Sequence, residues 1–106
     1  MVEYAFNLNT LFGSLADETR RDILNRVSKK RLTVSQIAAK YDISFAAISK
    51  HLKVMEKAKL IIKHRRGKEQ LVSANPLAIK DASEYFRSYE KIWNQRLDNL
   101  DKLLKN

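Results

Sequence analysis

Cysteine is absent from the chain. That removes disulfides, thiolate metal ligands and a Cys nucleophile at one stroke. Glycine and proline are scarce, 2 and 1 in 106 residues, so there are few of the special turns that active sites use, and the chain suits a compact, mostly helical protein. No apolar run approaches the length of a membrane span, and the opening MVEYAFNLN lacks the basic and apolar regions of a signal peptide. A cytoplasmic protein with no membrane partner is expected. Neither a nucleophile–base–acid cluster nor a phosphate-cradling glycine loop is present, so catalysis is not expected. The two histidines, His51 and His64, stand near Glu56 and Glu69 in no ligand-like spacing, so neither a metal nor another cofactor is implied.

What the chain has is positive charge, unevenly spread. Residues 1–43 carry 7 basic and 5 acidic residues, residues 44–75 carry 8 and 2, and residues 76–106 carry 6 and 5. The middle third therefore holds +6 of the total +9. A cationic zone of this kind points to a polyanion, either a nucleic acid or an anionic membrane surface. A soluble basic face is the alternative that charge by itself leaves open.

The length suits one domain, 1–106, with a single modest core. Leu8, Leu11, Phe12 and Leu15 make one helical stripe. Asp17 is placed to cap a second helix, with Ile23, Leu24 and Val27 inside and Lys29-Lys30-Arg31 at its end. Thr33 and Gln36 form a capping box, with Leu32 and Ile37 as its hydrophobic staple. That short helix ends near Lys40, and Ser44 caps the next, which runs to about Ala58. Two short helices joined this way over about 33–58 read as a helix-turn-helix. Residues 60–74 read as a β-hairpin turning at Arg66-Gly67-Lys68, and Asn75-Pro76 starts a helix reaching about Leu104. The fold class is thus mainly α with a small β-hairpin wing.

The stretch ISFAAISKHLK raises a particular problem. Ile48, Leu52 and Met55 would fill a core, yet the opposite side carries Ser44, Phe45, Ala46, Ser49, Lys50 and Lys53, an odd mixture for a merely solvated face. A helix entering the major groove of double-stranded DNA would use these types. Small residues allow close approach, Phe45 or Ala46 can touch a thymine methyl, and Ser49 can bond a base edge or phosphate. Lys50 can reach a guanine or the backbone, while Lys53 reaches phosphate only. The preceding helix, beginning with Thr33 and Ser35, would cross the backbone. His51 can serve a phosphate or sit at the core edge, and the residues leave both open. Lys63, Arg65, Arg66 and Lys68 flank Gly67 in a finger suited to phosphates or a narrow minor groove. The same charges would also protect a strand edge from aggregation.

In the last helix Phe86, Tyr89, Trp93, Leu97, Leu100 and Leu104 recur every three or four residues, the spacing of a helix–helix seam. This stripe is wider than so small a domain can bury, which points to a subunit interface.

The strings Leu15-Ala16-Asp17-x-Thr19-Arg20 and Ser49-Lys50-His51-Leu52-Lys53, with Ser35-Gln36-Ile37-Ala38 between them, resemble the ArsR-type winged-helix repressors across nearly the whole chain. The resemblance implies a homodimer built on the first and last helices, with Leu8, Leu11 and Phe12 joining the seam. It also implies a near-palindromic operator and repression until some signal intervenes; the sequence does not identify an inducer. Metal-sensing relatives carry Cys in the first helix of the motif, or His and acidic ligands in the last. Here residues 31–35 have no Cys and the last helix has no His, so the metal-free branch is expected. Many relatives have Gly where this chain has Lys59, a backbone cost if φ is positive there. Two other readings use parts of the same features. A nonspecific architectural DNA-binding protein would use the charge without the Ser-Phe-Ala-Ala face, and a protein adaptor would tolerate loss of the basic hairpin.

Overall fold

The computed structural model of the protein describes residues 7–105. Its elements run α1 (Leu8–Leu15), α2 (Glu18–Lys29), β1 (Leu32–Thr33), α3 (Val34–Ala39), α4 (Phe45–Lys57), β2 (Ile61–Arg66), β3 (Glu69–Ala74) and α5 (Pro76–Lys105). The expected helices and hairpin are therefore present. One strand was not foreseen: β1 pairs antiparallel with β3, through Leu32↔Val72 and Thr33↔Leu71, giving a three-stranded sheet in the order β1-β3-β2.

Local chemistry sets most of the boundaries. Asp17 Oδ1 accepts from the Arg20 amide at 3.1 Å and caps α2. That bond, helped by the nearby Arg20 charge, holds the Asp17 carboxyl below its ordinary 3.8, against a smaller opposing effect of burial. Thr33 caps α3 with the full reciprocal box, Gln36 N–H on Thr33 Oγ1 at 3.1 Å and Thr33 N–H on Gln36 Oε1 at 2.8 Å. Ser44 Oγ accepts from the Ala47 amide at 3.1 Å to start α4.

Helix α2 also closes its neighbours. Neither α1 nor α3 has a basic residue in its last turn, where a cation would offset the negative end of the dipole and satisfy free carbonyls. Three arginines of α2 supply those cations. Arg20 donates to the Ser14 and Gly13 carbonyls at 2.6 and 3.3 Å, and Arg21 donates to that of Leu15 at 2.8 Å. Arg26 donates to the Ile37 and Gln36 carbonyls, both at 3.2 Å, with its guanidinium 5.3 Å from the Tyr41 ring centroid. The Tyr41 hydroxyl in turn donates to Asp22, so α2 grips the connector between α3 and α4. Burial first, and that bond second, push the Tyr41 phenol above 10.0.

The end of α4 is a Schellman turn. The Leu60 amide donates to the Met55 carbonyl and the Lys59 amide to that of Glu56, both at 3.0 Å, with Lys59 at φ 61°. The non-glycine residue therefore does sit in the left-handed region. Gly67 takes φ 63° at the first position of the two-residue wing turn between Arg66 and its partner Glu69, a conformation in which a side chain would be strained. Ile23, Ile37, Ile48, Leu52, Met55, Leu60 and Val72 fill the core from four elements and the loop before β2.

Candidate nucleic-acid interface

The basic middle of the chain forms a concave surface between α4 and the hairpin. A cleft of about 410 Å³ is lined by Thr33, Ser35, Phe45, Ser49, Lys53 and Lys68, together with Lys63, Glu69 and Gln70. Six residues singled out from the sequence thus meet from α3, α4 and the wing. The geometry follows from the local structure. The Thr33↔Leu71 pairing pins the start of α3 to the wing strand, while Ile48, Leu52 and Met55 fix the rotation of α4. With that face buried, Phe45 is left 58% exposed at the leading end of α4. Ala46, Lys50 and Lys53 are exposed and Ser49 is half-buried. Ser44 is exposed; its oxygen is engaged in the cap, which leaves its hydroxyl proton free to donate.

His51 has a structural partner. Its Nδ1 accepts from Arg20 at 3.3 Å and lies 4.0 Å from Asp17, with only 20% of its side chain exposed. An arginine cannot accept, so in this contact Nδ1 carries the lone pair and, in the neutral ring, Nε2 the proton. His51 thereby locks α4 to the first turn of α2.

In the wing, paired residues share a face of the sheet. Arg65 and Gln70 therefore stand on the same face as Lys63 and Val72, and Arg66 stands on the other. The two arginines, grouped in the sequence, serve opposite sides of the finger. Arg65 Nε also donates to the Gly67 carbonyl at 3.3 Å, across the wing turn. Lys63, whose side chain is 17% exposed, lies 3.6 Å from Glu56 and bridges wing and α4. Sequence reasoning counted Lys63 among the cations of the basic finger but did not place Gln70 at the site, which needs the strand register.

The seam residues of α5 divide differently. Phe86, Tyr89, Trp93, Leu97, Leu100 and Leu104 are all exposed, and Ala78 is the one buried residue among those described in α5. Phe12 packs edge-on against Phe86 at 5.4 Å and near Tyr85 at 5.8 Å, joining α1 to that stripe. Leu11 departs from expectation. It is 0% exposed within the core of its own chain, because the turn of α1 that presents Phe12 to α5 turns Leu11 inward. Leu8 opens α1, but its side chain lies outside the described residues. Among the described residues no three His, Cys, Asp or Glu side chains are grouped as metal ligands, and no helix is long and apolar enough to cross a membrane.

Comparison with known proteins agrees with this architecture. The sequence profile of bacterial regulatory proteins of the arsR family matches residues 17–63, from the cap of α2 into the wing. The transcriptional repressor SdpR of Bacillus subtilis is 30% identical over 82 residues, covering 77% of this chain and 91% of SdpR. YuzN of the same organism, an uncharacterized HTH-type transcriptional regulator, is 37% identical over 82 residues, covering 71% of this chain and 89% of YuzN. The crystal structure of an ArsR family transcriptional regulator superposes with a TM-score of 0.79 at 28% identity, over 89% of this chain and 97% of that one.

Proposed function

The chain belongs to the arsR family of bacterial transcriptional regulators, and from that premise we propose that it is a dimeric repressor that reads a near-palindromic operator. The carrying observation is the convergence of Thr33, Ser35, Phe45, Ser49, Lys53 and Lys68 on one basic cleft. In this reading Phe45 and Ala46 meet base edges, where apolar contact separates thymine from cytosine. Ser44, Ser49 and Lys50 lie along the same face, and Lys53, Lys68 and the wing arginines hold phosphates. Thr33, which caps α3, and Ser35 in its first turn lie over the backbone. His51 contributes by fixing α4 through Arg20.

Dimerisation rests on α5. A helix of 30 residues is about 45 Å long, and its apolar stripe from Phe86 to Leu104 is bare on the single chain. A second copy of the stripe is the surface that matches it in length and chemistry. Repression follows from the likeness to SdpR. Control by a metal is not part of the proposal, since the chain offers neither Cys nor a His on α5.

Selection of bound duplexes from a random pool at physiological salt tests the whole reading. A two-fold symmetric consensus is expected, with half-sites one helical turn, or a multiple of it, apart. An unenriched pool bound with strong salt dependence would replace this proposal with a nonspecific architectural role.

A further inference from the structure

The hairpin has a second groove on its other side. It measures about 740 Å³ and lies between the end of α2, the sheet and the first two turns of α5. Ile62 and its partner Ser73 line it, and both stand on the face opposite Lys63, Gln70 and Val72. It shares no lining residue with the cleft beside α4. Nucleic acid seated on the reading face would therefore leave it open.

The lining combines two chemistries. Ile62 and Ile79 present apolar surface at 47% and 41% exposure. Around them stand Lys29, Lys30, Arg31 and Lys80, with no acidic residue in the lining. Among the described residues none of these four side chains has an ion-pair or hydrogen-bond partner. By contrast, Lys40 and Lys63 are matched to Asp22 and Glu56. Four unmatched cations around exposed isoleucines are complementary to a molecule with an anionic head and an apolar body.

Size decides the class of occupant. The α5 wall runs from Pro76 through Ile79 and Lys80 to Ser83, about 10 Å of helix. A stable protein partner needs roughly 800 Å² on each side, whereas small-molecule sites occupy about 300–1,000 Å³. We propose that this groove binds a small amphipathic carboxylate, its chain over Ile62 and Ile79 and its head among Lys29, Lys30, Arg31 and Lys80. The site requires no DNA and stands independently of the repressor reading.

The test is amide chemical-shift mapping of the full chain, without DNA, titrated separately with octanoate, acetate and octyltrimethylammonium. Octanoate is expected to shift Ile62, Ser73, Ile79 and Lys80 saturably, with the other two probes leaving them in place. The double variant Lys30→Glu/Lys80→Glu, checked for unchanged helicity by circular dichroism, should weaken octanoate about tenfold or more. An unresponsive groove would overturn the proposal. So would octanoate shifts confined to the Phe86–Leu104 stripe, an equal response to the cationic amphiphile, or wild-type octanoate affinity in the double variant.

Discussion

Asn75 Nδ2 donates to the Lys59 carbonyl at 2.9 Å while Asn75 Oδ1 accepts from the Leu77 amide at 3.2 Å. One side chain thus caps the start of α5 and satisfies a carbonyl in the turn that ends α4. The Asn75 amide, donating to the Leu60 carbonyl at 2.8 Å, adds a third link. Asn75→Ala is expected to cost about 1–2 kcal/mol in urea denaturation, from the lost cap and the unpaired carbonyl. Asn75→Asp keeps the cap and should recover about half of that loss; full recovery in this variant would show that the Lys59 bond contributes nothing, and a loss equal to that of Asn75→Ala that the cap contributes nothing.

Lys59 itself sits where glycine is favoured. Its φ of 61° crowds Cβ against the backbone, while the two Schellman bonds hold it there. Lys59→Gly should raise stability by about 0.5–1 kcal/mol, the relief of strain exceeding the added entropy of the unfolded chain. A lower denaturation midpoint for the variant would contradict this.

Asp17 makes stability depend on acid. Its carboxyl titrates lower in the folded chain than the ordinary 3.8, chiefly because the charged form accepts the Arg20 amide. The contribution is therefore complete above the unfolded value and disappears as pH falls through the folded one. Asp17→Asn preserves a cap without the charge. The gap in stability between wild type and this variant should be open at pH 7 and close below pH 3.8. Chemical denaturation at both ends of that range checks it, and a gap that widens on acidification would be the wrong sign.

On the proposed DNA face, exposed Phe45 and exposed Lys68 should have separable effects. Phe45→Ala should cost about 1–3 kcal/mol on the selected operator and relax preference at one position. Lys68→Ala should weaken binding to all sequences alike and reduce the salt slope by about one. Titrations at several salt concentrations distinguish the two, and identical behaviour of the variants would remove Phe45 from base contact.

For the stripe on α5, Trp93→Asp or Leu97→Asp places a charge among apolar groups that a partner must desolvate. Each should convert a dimer to a monomer in analytical ultracentrifugation and abolish tight operator binding. Unchanged mass with these substitutions would refute pairing through α5.

Most of the architecture was legible because its signals are local. Asp17, the Thr33/Gln36 box, Ser44 and Asn75 each announce a helix start through groups within three residues, and the structure uses all four. What was hidden depended on contacts distant in sequence. Leu32 and Thr33 read as a staple and a cap, and they also pair with Val72 and Leu71, which no local pattern reports. Leu11 shares a helical stripe with Phe12, and periodicity cannot say which of two neighbours meets its own core and which another surface. The arginines of α2 bond carbonyls at the ends of α1 and α3, six to eleven residues away, and no local pattern reports that role. Of the candidate site, the face of α4 turned away from the core was legible from residue type; the cleft it shares with the wing, the division of Arg65 from Arg66 and the inclusion of Gln70 required the register of the hairpin.

The turn joining α4 to β2 spans only Ala58, Lys59 and Leu60, and hydrogen bonds hold it from both sides. With Lys63 also tied to Glu56, the helix and the finger that follows it behave as one stiff jaw. Such a jaw has little latitude to re-aim its two parts against each other. In the proposed dimer, accommodation of a curved or unevenly spaced site would then come from sliding or tilting where two copies meet, which would make the long terminal helices, rather than the fingers, the adjustable joint of the assembly.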